Sequence, residues 1–189
     1  NASSGKMGFA LAKSARDFGG DVTLISGPVN LDKISGVTHI DITSAQDMAN
    51  SISKKIKEIE FDYIIMAAAV ADYAPQGYEN RKIKKTDGKL NLQLVKTTDI
   101  LKSIVSKTDA VKIGFALETD DGEKNALNKM KSKSLDYVIL NFANEKGAGF
   151  ESDTNHIFIY SKNGNKKEFK KDTKVRLSQK ILEYVIHHE

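Results

Sequence analysis

Cysteine is absent from all 189 positions. That removes disulfides, thiolate metal sites and cysteine nucleophiles together, and it fits a reducing compartment. Long hydrophobic runs are also missing: none approaches the roughly 18 apolar residues of a membrane-spanning helix, and the first residues show no charged region leading into a signal-like apolar core. A soluble, cytoplasmic protein with no membrane partner is expected. Aromatic residues make up 7% of the chain and do not interleave with basic clusters as nucleic-acid surfaces do, so no nucleic acid is expected. The histidines, at positions 39, 156, 187 and 188, share no ligand spacing, which argues against a zinc site; no side chain is assigned to a metal. Ser26-Gly27-Pro28 stands where a dinucleotide fold carries the acid that holds the ribose hydroxyls, which disfavours NAD. No nucleophile and base pattern appears.

What is present is enough for one packed domain, 1–189: 40% hydrophobic residues, with 29 basic against 25 acidic side chains and a net charge of +4. The basic excess weakly favours anionic partners. Met7, Ala10, Leu11, Ala15 and Phe18 recur at helical spacing before a stop at Gly19-Gly20. Short strands follow at Val22 to Ser26 and Val37 to Ile42. Thr43 with Gln46 forms a capping-box pattern ahead of a helix whose apolar face is Ala45, Met48, Ala49, Ile52, Ile56 and Ile59. Phe61 to Ala69 reads as the central strand, and Val111 to Ala116 and Tyr137 to Phe142 are further runs typical of strands covered on both faces. Between the last two, Asp120 and Glu123 cap a helix burying Ala126, Leu127 and Met130. His156 to Tyr160 and Glu168 to Lys171 form a late strand pair around Asn163-Gly164-Asn165, and Val175 to Ile186 is a closing helix.

The alternation predicts an α/β fold: a doubly wound (Rossmann-like), mostly parallel sheet with helices on both faces. Residues 74–97 are too long for an ordinary connection, and Leu90, Leu92 and Leu94 alternate there as in a strand, so a flap or dimerisation arm is expected. The chain enters its first helix almost directly from Asn1, where this architecture places a strand first; a strand ahead of Asn1 is therefore expected.

Chemistry concentrates at a few places. The run ending in Ala67-Ala68-Ala69-Val70-Ala71-Asp72-Tyr73 closes a strand with residues too small to obstruct a ligand lying above them. In open α/β sheets ligands settle outside the carboxyl ends of strands. Arg81-Lys82-Ile83-Lys84-Lys85 follows; if extended, Lys82 and Lys84 project together while Ile83 anchors on the other side, although most such runs are solvated loops. Ser3, Ser4, Gly5 and Lys6 open the first helix, where free N–H groups and the helix dipole favour an anion, against the blander reading of a serine cap with small residues packed closely. Lys129 and Lys133 lie four apart on one helix, repelling unless an anion sits between them, a cost surface lysines often bear. Asp72 reads as a turn residue or a ligand contact, and Phe115 as core or ligand contact.

Asn-x-Ser-Ser-Gly-Lys-Met-Gly at Asn1 to Gly8, Ile-Ser-Gly-Pro-Val at Ile25 to Val29, Ala-Ala-Ala-Val-Ala-Asp-Tyr at Ala67 to Tyr73, Lys-Ile-Lys-Lys at Lys82 to Lys85 and Gly-Phe-Ala-x-Glu-Thr at Gly114 to Thr119 together resemble phosphopantothenate-cysteine ligase, also called phosphopantothenoylcysteine synthetase. The resemblance implies a step of coenzyme A synthesis. CTP, with Mg2+, activates 4'-phosphopantothenate as an acyl-cytidylate, and the amine of L-cysteine displaces CMP. It places the acyl-holding asparagine at Asn1 and the functional lysine at Lys82, and nucleotide contacts at Met66, Ala67, Ala68, Asp72, Thr98, Asp99, Ile100, Leu101, Phe115, Lys129 and Lys133. It also implies a homodimer in which the long connection covers the site. The family's usual Asn-Pro-Asp-Ile stands here as Thr97-Thr98-Asp99-Ile100. The family's glycine-rich loop precedes the position of Asn1. Nothing resembles the flavin-dependent decarboxylase fused to many bacterial relatives, so a stand-alone ligase without flavin is expected. The other readings are a non-catalytic nucleotide-binding module, an NAD(P)-dependent oxidoreductase and a nucleic-acid-binding domain.

Overall fold

The computed structural model describes residues 3–77, 81–84, 88, 90–144 and 152–188. Helix α1 (Lys6–Asp17) leads into strands β1 (Thr23–Ser26) and β2 (Thr38–Asp41), then helix α2 (Ala45–Glu58) and strand β3 (Tyr63–Met66). Strands β4 (Tyr73–Pro75) and β5 (Leu94–Lys96) bracket the long connection, and a short helix α3 (Ile100–Ile104) follows. Strand β6 (Val111–Glu118), helix α4 (Gly122–Ser132), strands β7 (Tyr137–Phe142), β8 (Thr154–Ser161) and β9 (Lys166–Thr173), and helix α5 (Lys174–His187) complete the order.

The main sheet runs β3-β6-β7-β8-β9. Its β3–β6 and β6–β7 pairs are parallel, and β7–β8 and β8–β9 are antiparallel. The parallel pair β1–β2 forms a separate small sheet. Strands with period-two side chains bury both faces once helices cover them. On one face Ile113, Tyr137, Ile139, Ile157 and Ile159 meet Leu11 of α1 and Leu177, Ile181 and Val185 of α5. On the other, Ala116, Val138 and Leu140 meet Ala126 and Met130 of α4. A third cluster packs Met48, Ala49 and Ile52 of α2 against Ile42, Ile100 and Ile104. The layers are those of a doubly wound fold with a mostly parallel central sheet. Among the described residues no helix is long and apolar enough to cross a membrane.

Several elements differ from expectation. The strand expected as central is shorter, Tyr63–Met66, and lies at the edge of the main sheet. β1 and β3 face each other without ladder bonds, across an apolar cavity of about 1090 Å³ lined by both strands, α1 and α5. The capping box of α2 is shifted by one: Ser44 Oγ accepts from the Asp47 N–H (3.1 Å) and Asp47 Oδ2 from the Ser44 N–H (2.9 Å). Asp47 also accepts from the Thr43 hydroxyl, while Gln46 bonds Asn50 on the next turn. A carboxylate is short enough to reach back from the third helical position, so Asp47 completes the box in place of Gln46. Helix α4 starts at Gly122 after a left-handed Asp121, with no side-chain cap, and Glu123 pairs instead with Lys166 of β9. Of the alternating leucines only Leu94 enters a strand, in the antiparallel pair β4–β5.

Candidate active-site cleft

The carboxyl ends of β3 and β6 set the site. Met66, the last residue of β3, pairs with Gly114 of β6, and Ala67 to Ala71 continue past the sheet edge as backbone with only methyl-sized cover apart from Val70. Gly114 is required to be small: a Cβ there would lie 2.6 Å from Leu135 Cδ1. The chain returning from the arm is tied to this tip. Thr97 Oγ1 donates to the Ala71 carbonyl (2.6 Å), and the Thr97 N–H to that of Asp72 (2.9 Å).

Two lysines overhang the same edge: Lys129 in the last turn of α4, and Lys133, which the sequence places on the same helix but which stands just past its end as the C-cap residue. Lys129 donates to the Phe115 carbonyl (2.6 Å), which points it back over the strand from which the helix departs. Burial, and then the neighbouring Lys133, hold the Lys129 ammonium below the usual lysine range, with Glu118, Asp72 and Asp99 acting in the opposite sense. Lys133 lies 3.3 Å from Asp99, which also caps α3 by accepting from the Lys102 N–H. Asn125 donates to Glu118 at the tip of β6 (2.9 Å). The result is an alternation of cations and carboxylates that an incoming polyanion can reorganise by taking the lysines for itself.

The helix start lies on the opposite face of the sheet. Gly5 is left-handed (φ 72°), and a Cβ there would lie 2.8 Å from Val29 Cγ1; its N–H faces Ser3 Oγ at 3.4 Å. Ser3 is exposed, Ser4 partly buried, and Lys6 reaches Asp153 at 2.6 Å.

The fold thus brings Met66, Ala67, Ala68, Asp72, Asp99, Phe115, Lys129 and Lys133 to one edge of the sheet. Thr98 is exposed beside them, whereas Ile100 and Leu101 are 3% and 5% exposed and give their side chains to the core that seats α3. Lys82 is exposed, and no hydrogen bond or ion pair joins it to this cluster among the described residues. Asn1 and Lys85 lie outside the described residues. Glu118 stands in the Gly-Phe-Ala-x-Glu-Thr motif without an assigned role, and Asn125, Asp153 and the buried Lys174 were not singled out by the sequence. An isolated acid or lysine in a polar stretch carries no pattern, and only packing reveals it. Among the described residues no group of three or more metal-ligating side chains is gathered.

A doubly wound α/β domain with an open small-residue strand tip, flanked by lysines on one side and a helix start on the other, belongs to the class that takes ligands at the carboxyl edge of its sheet. The model of the DNA/pantothenate metabolism flavoprotein C-terminal domain family matches residues 1–188. The chain belongs to this family, in agreement with the resemblance carried by its five motifs. It is 41% identical over 187 residues to the coenzyme A biosynthesis bifunctional protein CoaBC of Bacillus subtilis (strain 168), covering 98% of this chain and 46% of that protein. It is 40% identical over 187 residues to CoaBC of Vibrio parahaemolyticus, covering 97% and 46%. The chain therefore spans about half the length of these relatives. The crystal structure of the C-terminal domain of CoaBC superposes with a TM-score of 0.81 at 32% identity, covering 98% of this chain and 83% of that one. A Cab2 mutant in complex with phosphopantothenate-cysteine shares the fold at 16% identity, with a TM-score of 0.75 and coverage of 99% and 78%.

Proposed function

We propose that this chain is a phosphopantothenate-cysteine ligase domain acting in coenzyme A synthesis. The observation that carries the reading is the placement of Lys129 and Lys133 over the bare tip of β3 and the Phe115 carbonyl, a floor and clamp for a triphosphate. Membership of the family, and the names of relatives matched over nearly the whole of this chain, support the same reaction.

In this reading CTP lies over Met66 to Ala68. The substrate carboxylate oxygen attacks the α-phosphorus; the bond to the bridging oxygen breaks and pyrophosphate leaves. The cysteine amine, deprotonated from its ammonium form, then attacks the acyl carbon; its nitrogen releases a second proton to solvent, and CMP departs with the former carboxylate oxygen. Asn1 holds the acyl oxygen through its amide donor during this second step, and Lys82 neutralises phosphate charge in the first. Mg2+ bound with the nucleotide would supply charge neutralisation to the phosphates, and Asp72, Asp99 and Glu118 are the carboxylates that would lie nearest to hold it through water. The active unit is a homodimer. Tyr73, Ile83, Leu90, Leu92 and Leu94 are all exposed on and around β4–β5, and an isolated two-stranded ribbon needs a partner surface for stability. A mixed anhydride must be kept from water, which a covering segment would accomplish.

The test is pyrophosphate release with 4'-phosphopantothenate and Mg2+, comparing CTP with ATP, with and without cysteine. Release that requires phosphopantothenate, prefers CTP and yields an amide on adding cysteine is expected. Asn1→Asp is expected to release pyrophosphate but stall before the amide, and Lys82→Gln to impair activation. Nucleotide binding without release would replace the ligase with a non-catalytic module.

A further inference from the structure

One face of α4 carries a ladder of polar side chains at four-residue steps: Asn125, Lys129 and, at the C-cap, Lys133. Residues so spaced on a helix stand one above the other. Each rung has its own partner. Lys133 pairs with Asp99 (3.3 Å), Lys129 donates to the Phe115 carbonyl (2.6 Å), and Asn125 Nδ2 donates to Glu118 Oε2 (2.9 Å). Phe115 and Glu118 both belong to β6, so the strand and the helix that follows it are stitched twice at the mouth of the cleft.

The sense of the Asn125 contact is fixed by chemistry. Its other neighbour is the Asp120 carbonyl (3.4 Å), so both groups facing this amide are acceptors and its nitrogen must point toward them. The main chain of Glu118 is held from the far side, its carbonyl accepting from the Ala143 N–H (2.9 Å) just past β7. With its backbone and one carboxylate oxygen both held, Glu118 keeps its charge at the strand tip. A donor on an ionised carboxylate also makes a stronger bond than one between neutral groups.

Lys129 depends on that charge. Burial and the neighbouring Lys133 disfavour its ammonium, whereas Glu118 is the foremost of the carboxylates that favour it, ahead of Asp72 and Asp99. Asp99 is shared with Lys133 and the cap of α3, and Asp72 is exposed. Glu118 is half-buried, and among the described residues Asn125 is the side chain that bonds its carboxylate.

We propose that Asn125 is a positioning residue for Lys129, acting through Glu118: it clamps the carboxylate at the tip of β6, and the clamped carboxylate keeps the ammonium in place for the phosphates of a bound nucleotide. This rests on the reading of Lys129 as a triphosphate contact, and it adds Asn125 and a role for Glu118 to that site.

NMR of the full chain labelled with 13C at lysine Cε reads the Lys129 ammonium directly, its signal being the one missing from Lys129→Arg. Asn125→Ala and Glu118→Gln are each expected to move its titration down by about 0.2–0.7 in pH, the equivalent of one partly exposed charge pair. The double variant is expected to move it no further than Glu118→Gln alone, because the amide acts only through the carboxylate. Inorganic tripolyphosphate, titrated calorimetrically, gives the second reading. Its affinity falls in alkaline solution as Lys129 loses its proton, and in both variants that fall is expected to begin lower by the same interval.

A Lys129 titration unmoved by Asn125→Ala, additive shifts in the double variant, or a tripolyphosphate profile that does not follow the titration would overturn the proposal. Lost stability in Asn125→Ala with both readings unchanged would do the same, leaving Asn125 a bond of the fold alone. Asn125→Leu, similar in bulk and without a donor, takes its place if the alanine variant does not fold. Tripolyphosphate contains neither base nor pantothenate, so failed pyrophosphate release with both readings as expected overturns the ligase alone. Release by a protein whose Lys129 titration ignores Asn125 overturns the positioning role alone.

Discussion

Lys129 of α4 donates to the carbonyl of Phe115, 2.6 Å away on β6, so a lysine from the helix that follows the strand folds back over that strand's carboxyl end. A helix and a strand joined by a short loop place this side chain without help from any other element. The bond explains how a partly buried ammonium is kept aimed at the cleft.

Lys129→Met should separate function from stability. The folded-state pKa of Lys129 lies below its unfolded value of about 10.4, so between the two values the unfolded chain binds more protons and stability rises with pH. At neutral pH the charge therefore costs stability, and removing it is expected to change folding stability by less than about 1 kcal/mol, because the bond to the Phe115 carbonyl is lost at the same time. Nucleotide affinity is expected to fall about tenfold or more, as for a charge-assisted bond. Chemical denaturation and nucleotide titration on the same sample check both; a large stability loss would show that Lys129 serves the fold.

Gly122→Ala should damage the cleft from beneath. A Cβ at this first residue of α4 would lie 2.5 and 2.7 Å from Phe142 ring atoms and 3.2 Å from Leu140 Cδ2. A ring cannot swing aside as a chain end can, and overpacking of this kind costs about 1–3 kcal/mol. The displaced helix carries Lys129 and leads into Lys133, so KM for the nucleotide is expected to rise along with a lowered denaturation midpoint. A fully stable variant with unchanged KM would contradict the packing.

Asp136 sets the acid limit of one end of the sheet. Burial pushes its carboxyl up, but the Lys112 N–H and the Lys162 ammonium, at 2.8 and 2.6 Å, outweigh this and leave it below the usual carboxylate range. A lowered folded-state pKa gives stability that is fully present above the unfolded value of about 3.9 and is lost as pH falls through the folded value. Asp136→Asn is expected to cost about 1–3 kcal/mol at neutral pH and to flatten the loss of stability below about pH 4. Urea melts at pH 7 and pH 3 test it: a wild-type and variant that lose stability in parallel would exclude the role.

The exposed apolar arm predicts association. Leu90 and Leu92 are 71% and 61% exposed, and replacing both with serine is expected to shift a dimer toward monomer while leaving the far-ultraviolet spectrum unchanged, because neither residue lies in the sheet core. Sedimentation equilibrium measures the shift. An unchanged association constant would remove the arm from the interface.

Much of this architecture was already written in local patterns. The spacing of Met7, Leu11 and Ala15 produces α1; the continuous runs at Val111 and Tyr137 produce strands buried on both faces; and Asn163-Gly164-Asn165 closes the late hairpin, with Gly164 left-handed. Each is a short-range consequence of period, turn chemistry or branching. The same locality explains the near misses. Thr43 and Ser44 offer the same hydroxyl, and only the path of the backbone into α2 selected Ser44 as the cap, with Asp47 answering it. The small residues of Ala67 to Ala71 are legible as a bare strand tip, but the position of β3 at the edge of the main sheet is a matter of pairing between distant strands.

The sequence by itself determined the layers, the open strand tip and the family, because periodicity and ordered motifs are properties of neighbours along the chain. Tertiary structure alone decided which charges distant in the chain meet. Lys6 and Asp153 are 147 positions apart, and Lys133 finds Asp99 only because α3 and α4 pack on the same face of the sheet. Coulombic interactions depend on distance in space and on burial, and neither is encoded in the identity of the residues beside them.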